Sequence, residues 1–224
     1  HDPTTALVGG QLGLDEAGRG PLAGPVVVAA VWLPETFDVA GLDDSKKLSR
    51  ARRDEAATRI REEAAYAVEI VDVDDIDRLN ILWASMEGMR RAWSRIRSLV
   101  PGDAIAYVDG DRVPPGLEGR HYHVVKGDGR MACIAAASIL AKTTRDALMT
   151  EFADRYPEYG FERHFGYATP EHLGLLRRHG PCPLHRRTFS PVREMVLQPC
   201  LAFDAEEPMP TMPPPRICPA SATP

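Results

Sequence analysis

Eight consecutive apolar residues, Val26–Leu33, constrain this chain more than any other feature. The run is rich in β-branched side chains and is stopped by Pro34, so it reads as a buried strand. It is the longest apolar run in the chain, and a membrane helix needs about 20 such residues, so no membrane association is expected. Strand-like and helix-like patterns alternate around it. Residues 12–15 form a short strand entering the turn Ala17-Gly18-Arg19-Gly20. Ser49 caps a helix to about residue 65, residues 66–73 alternate as a strand, and Asn80 caps a second helix to about residue 99. Residues 105–109 and 122–126 are further short strands. A long helix over about 130–156 follows, and its small early residues, Ala132-Cys133-Ile134-Ala135-Ala136-Ala137-Ser138, suit close packing on a sheet. Thr169-Pro170 opens a last helix and Gly180-Pro181 ends it. The pattern predicts an α/β protein, a central mixed sheet flanked by helices.

The chain has 224 residues, enough for one domain with appendages. Residues 1–10 read as a lead, 11–197 as the folded body, and 198–224 as a tail. The tail holds eight of the twenty prolines, so it is expected to be disordered, with docking to a protein partner as the alternative. The four cysteines show no metal-binding spacing and read as reduced thiols of a cytoplasmic protein. No apolar segment near His1 reads as a secretion signal. The net charge of −5 does not advertise a nucleic-acid binder. Between residues 155 and 190, however, six arginines face three acidic residues, with four histidines besides.

Acidic residues stand where strands end. Asp15-Glu16 closes the first strand, Asp109 closes another before Gly110, and Asp128 lies in Gly127-Asp128-Gly129, between a strand and the long helix. Ligand sites of open α/β sheets favour such ends. Several half-desolvated carboxylates together are tolerable mainly with a cation among them, and oxygen ligands favour Mg²⁺ or Mn²⁺ over Zn²⁺. Taken singly, Asp109 and Asp128 are more often turn formers than ligands. Adjacent strand residues point to opposite faces, so Asp15 and Glu16 share one site only if the strand ends or bulges there. Gly18-Arg19-Gly20 is either a plain turn or a backbone that approaches a ligand while Arg19 offers a fork to phosphate.

Taken together, the run Gly13-Leu14-Asp15-Glu16-Ala17-Gly18-Arg19-Gly20-Pro21-Leu22-Ala23-Gly24-Pro25-Val26 resembles the opening of the bacterial ribonuclease HII family. So do Leu42-Asp43-Asp44-Ser45-Lys46-Lys47-Leu48, Tyr107-Val108-Asp109-Gly110 and Val125-Lys126-Gly127-Asp128. The helix from Ile134 to Asp146, the segment His164-Phe165-Gly166-Tyr167-Ala168-Thr169 and the ending His185-Arg186-Arg187-Thr188-Phe189 are also similar. The resemblance runs from about residue 11 to 192. Departures are mild: Thr143-Thr144 where valine-threonine is more usual, and the long proline-rich end.

The resemblance implies an RNase H-like fold with a small C-terminal helical extension. It implies hydrolysis of the RNA strand of RNA/DNA hybrids and incision 5′ of single ribonucleotides in duplex DNA, with two Mg²⁺ or Mn²⁺ ions held by Asp15, Glu16, Asp109 and Asp128. Gly18, Arg19 and Gly20 map onto the segment that contacts the ribose 2′-hydroxyl, and Tyr167 onto the ribonucleotide-sensing tyrosine. Lys46, Lys47, Arg163, His164, Arg186 and Arg187 are expected phosphate contacts. Ser138, Lys142 and Asp146 stand behind the site, with Lys142 and Asp146 spaced to pair along the helix. Trp83 and Trp93 read as core or partner packing. A monomer is expected. The related ribonuclease HIII type has an added N-terminal substrate-binding domain, and about ten residues precede the first motif here. Another two-metal nuclease or a catalytically silent nucleic-acid-binding module are the competing readings.

Overall fold

The computed structural model describes residues 10–43 and 45–197. The expected tail, most of the lead and Asp44 lie outside the described residues. Five strands form one sheet in the order β3-β2-β1-β4-β5: β1 Gln11–Ala17, β2 Val26–Leu33, β3 Ala65–Val71, β4 Ala106–Asp109 and β5 His121–Val124. The β1-β2 and β2-β3 pairs are antiparallel, and β1-β4 and β4-β5 are parallel, which makes the expected mixed sheet.

The apolar run of β2 is continuous because both of its faces are covered. Val27, Ala29, Val31 and Leu33 pack beneath helices α1 (Arg50–Glu63) and α4 (Ala132–Arg155). Val26, Val28 and Ala30 pack against α3 (Ile81–Ile96) on the other side. The small residues of α4 do what their size permits. A Cβ on Gly13 of β1 would lie 2.2 Å from the carbonyl carbon of Cys133, so strand and helix backbones are nearly in contact. Gly13→Ala is therefore expected to cost about 1–3 kcal/mol through overpacking, lowering Tm by several degrees. A thermal melt indistinguishable from wild type would contradict this spacing argument.

Two local features depart from the sequence reading. A short helix, α2 (Val73–Leu79), follows β3, because Asp72 ends the strand and accepts the Asp75 amide at 2.8 Å as its N-cap. Lys126 takes a left-handed conformation, φ 54°, so β5 stops at Val124 and a 3₁₀ turn, Gly127–Gly129, carries Asp128. Trp93 is buried as expected, but Trp83 is half-exposed on α3. The described residues end with α5 (Phe161–His164), α6 (Pro170–His179) and α7 (Val192–Leu197), a small helical extension. No helix among the described residues is long and apolar enough to cross a membrane.

Candidate active site

The parallel pairing of β1 and β4 is registered as far as Leu14 opposite Val108. One residue beyond that register stand Asp15, within β1, and Asp109, the last residue of β4. The sheet geometry alone thus brings together two carboxylates 94 residues apart in sequence. Asp15 is directed to the α4 side, where the nearby Ser138 hydroxyl favours its charged form. Its Oδ1 also accepts the Glu16 amide at 2.7 Å. Asp109 accepts the Gly127 amide at 2.7 Å, so the turn that carries Asp128 is tied to the end of β4.

β1 neither ends nor bulges before Glu16. Its pairing with β2 continues regularly through Ala17 opposite Val27, and the turn begins at Gly18, with φ 97°. Glu16 still reaches the same cleft, because the registered pairing with β4 has already stopped at Leu14, and its Oε1 accepts from Arg19 at 3.2 Å. The cleft measures about 610 Å³. Asp15, Glu16, Asp109 and Asp128 line it with Gly18, Arg19, Gly20, Ser45, Lys46, Ser138, Lys142 and Tyr167.

Electrostatics mark this cluster as strained without a cation. Burial raises the pKa of Asp15 well above the usual carboxylate range, and the charges of Glu16 and Asp109 add to it. Burial also raises Glu16, against the opposing pull of Arg19, and raises Asp109, which lies near Asp128. Lys46 approaches Asp128 only to 3.8 Å and is largely exposed. The donors are hard oxygens, fitting Mg²⁺ or Mn²⁺. Among the described residues no three such side chains are already gathered on one point, so the carboxylates would converge on an ion rather than present a finished cage.

The loop entering the cleft is held by two buried arginines. Arg186 donates to the carbonyls of Gly18 at 2.6 Å, Arg19 at 3.0 Å and Gly24 at 2.9 Å. Arg145 of α4 donates to Ala23, Pro25 and Phe165, each at 3.0 Å. A Cβ on Gly18 would meet Arg145 Nε at 2.1 Å, so glycine is required there for packing as well as for its φ. Arg186 is therefore not a phosphate contact; it positions the glycine loop from inside. The sequence reading missed Arg145 in that role, since an arginine one helical position from Asp146 reads as a surface ion pair.

Other expected contacts are also reassigned by their surroundings. His164 is buried, stacks on His172 with ring centroids 4.3 Å apart and does not line the cleft. Arg163 is exposed but engaged by Glu162 and Glu171 at 2.6 Å, away from the cleft lining. Lys142 lines the cleft and pairs with Asp146 at 2.7 Å, whereas Asp146 does not line it. Ser138 lies behind the cluster, 3.0 Å from Ser45 Oγ, tying the loop of Lys46 to α4. Lys47 pairs with Asp43 at 3.1 Å. Arg187 is exposed, and its amide donates to Asp77 at 2.9 Å. Tyr167 is 43% exposed, and its ring lies 3.8 Å from where a Gly20 Cβ would be.

A family model described as Ribonuclease HII matches residues 12–192. Ribonuclease HII of Dechloromonas aromatica is 54% identical over 190 residues, covering 84% of this chain and 95% of that protein. Ribonuclease HII of Idiomarina loihiensis is 49% identical over 185 residues, covering 82% and 97%. Among solved structures, ribonuclease H2 from Pyrococcus horikoshii superposes with a TM-score of 0.68 at 27% identity, covering 82% of this chain and 95% of that one.

Proposed function

This chain belongs to the ribonuclease HII family, and from that premise we propose that it incises duplex DNA 5′ of single embedded ribonucleotides by two-ion phosphodiester hydrolysis. Membership makes it an RNase H endonuclease acting on RNA/DNA hybrids. One observation supports the finer reading: the four carboxylates, the Gly18-Arg19-Gly20 backbone and the Tyr167 ring line a single cleft.

Asp15, Glu16, Asp109 and Asp128 would hold two divalent ions, Mg²⁺ or Mn²⁺. Such ions, when bound, supply an activated water and neutralise the phosphate and the leaving oxygen, giving 5′-phosphate and 3′-hydroxyl ends. Asp15, between Glu16 and Asp109, would contribute to holding both ions. The chain's own contribution to selectivity is recognition of one 2′-hydroxyl, the group that tells RNA from DNA. Gly20, where an added Cβ would meet only the Tyr167 ring, leaves the backbone open to it; that ring would stack on the adjoining sugar, and the Tyr167 hydroxyl would donate a hydrogen bond to the substrate. Lys46, on the rim beside Asp128, would meet phosphate.

The test is a labelled DNA duplex carrying one ribonucleotide, with an all-DNA duplex as control. Incision on the 5′ side of the ribonucleotide, abolished by EDTA and absent from the control, is expected. Cleavage of the all-DNA duplex would instead favour a general two-metal nuclease. Tyr167→Phe is expected to lose about tenfold or more of its rate on this substrate, consistent with one lost charge-assisted or neutral hydrogen bond. Unchanged incision by that variant would remove Tyr167 from the recognition role.

A further inference from the structure

Three buried histidines lie under Tyr167, and the catalytic reading uses none of them: His164, His172 and His185. Their hydrogen bonds fix the proton positions. His172 Nδ1 lies 2.8 Å from the Tyr167 carbonyl, which can only accept, so Nδ1 carries the proton and Nε2 is a lone pair. At the other end, the Cys182 amide donates to His185 Nδ1 at 3.0 Å, so that nitrogen is the lone pair and His185 Nε2 carries the proton. The two Nε2 atoms are 3.1 Å apart, and the assignments made from the two ends agree: His185 Nε2–H donates to His172 Nε2. The Cys182 thiol, 3.2 Å from His185 Nδ1, points at the same lone pair.

This relay works only with both rings neutral, because an added proton would set two N–H groups face to face. Burial, the first cause in each case, lowers the pKa of His172 and brings His185 down to about 4, in keeping with that requirement. His164 supports the same segment in parallel: Gly166 donates to its Nδ1 at 3.2 Å, and its Nε2 faces the Tyr159 carbonyl at 2.8 Å. The relay also reaches the segment that continues the glycine loop. Ala23 forms a β-bridge with His185, and Leu22 and Gly24 donate to Gly166 and Leu184 at 2.8 Å. One buried frame therefore holds both the loop of Gly18-Arg19-Gly20 and the backbone of Tyr167.

We propose that His172 and His185 are positioning residues: a neutral two-imidazole relay from the Cys182 amide to the Tyr167 carbonyl sets the tyrosine ring over Gly20, and so sets selectivity for single embedded ribonucleotides. This rests on the recognition role given to Tyr167 above.

Two measurements test it. Long-range ¹H–¹⁵N correlation spectra of the wild-type chain at neutral pH report each tautomer. His172 protonated at Nδ1 and His185 at Nε2 are expected; His172 protonated at Nε2, or doubly protonated, overturns the relay. The second readout is the rate on a single-ribonucleotide duplex divided by the rate on a long RNA/DNA hybrid. His172→Leu, which removes the donor, is expected to lower this ratio about tenfold. His172→Asn, which keeps an N–H at the Nδ1 position, should stay within about threefold of wild type. An unchanged ratio in His172→Leu overturns the proposal, and if that variant does not fold the tautomers decide. Tyr167→Phe run alongside separates the two ideas: a ratio unaffected there removes the tyrosine's role while leaving the measured relay intact.

Discussion

Asp15→Asn is expected to abolish hybrid cleavage in Mg²⁺ by a factor on the order of 10³ or more, while making the ion-free protein more stable. The first effect follows from the proposed role of Asp15 in holding the divalent ions, whose stabilisation of developing charge would amount to several kcal/mol. The second follows from where Asp15 sits: buried, against Glu16 and Asp109, with its pKa raised well above the usual carboxylate range. A carboxyl whose folded-state pKa exceeds its unfolded value holds its proton better in the native state. Ion-free wild type therefore loses stability as pH rises from the ordinary carboxylate value, 3.8, through the raised one, and stays less stable above it. Asn at position 15 cannot titrate, so its Tm at neutral pH should exceed that of wild type, and its Tm-against-pH curve should lack the Asp15 step. Activity near wild type, or a variant less stable at neutral pH, contradicts the account of this cluster.

Arg186→Met is expected to be the most damaging substitution for stability, at about 3–5 kcal/mol, or a fall in Tm of about 10 °C or more. The side chain is fully buried, and its guanidinium is satisfied by backbone carbonyls of Gly18, Arg19 and Gly24. A methionine of similar length fills the space but leaves those carbonyls without their donor, and each unsatisfied buried acceptor costs about 1–3 kcal/mol. Arg186→Lys should recover only part of the loss, because a compact ammonium cannot reproduce a planar fork reaching several acceptors. Calorimetry or urea melts decide this. A Tm within about 2 °C of wild type in Arg186→Met would mean that the loop carries its own weight.

The contrast between these two residues shows what the sequence makes legible. The carboxylates were readable because they break a pattern: an acidic residue at the end of an apolar strand is conspicuous, as at Asp15 and Asp109. The β2 strand and the small-residue start of α4 were readable for a related reason, since continuous β-branched runs and alanine-rich turns have few other uses. Arg186, Arg145 and His164 were not, because arginine and histidine are read by default as exposed charge. Their partners are backbone carbonyls, which every residue has and which leave no mark on sequence spacing. The one available signal is indirect: Gly18-Arg19-Gly20-Pro21-Leu22-Ala23-Gly24-Pro25 is a long irregular stretch whose carbonyls need donors from elsewhere. The course of β1 through Glu16 was equally hidden. It depends on β2 pairing running further than β4 pairing, which is a property of the sheet and not of the strand. Helix α2 was masked by the four aspartates at 72, 74, 75 and 77, which leave no apolar helical period although the first is a cap.

The central claim is that Asp15 of β1 and Asp109 at the end of β4, with Glu16 and Asp128, bind divalent ions. The most direct measurement is a titration with Mn²⁺ followed by the electron paramagnetic resonance signal of the free ion, on wild type, Asp15→Asn and Asp109→Asn. Saturable binding by wild type, displaced by Mg²⁺ and lost in both variants, is the predicted result. Binding of equal strength and stoichiometry in all three proteins would contradict it.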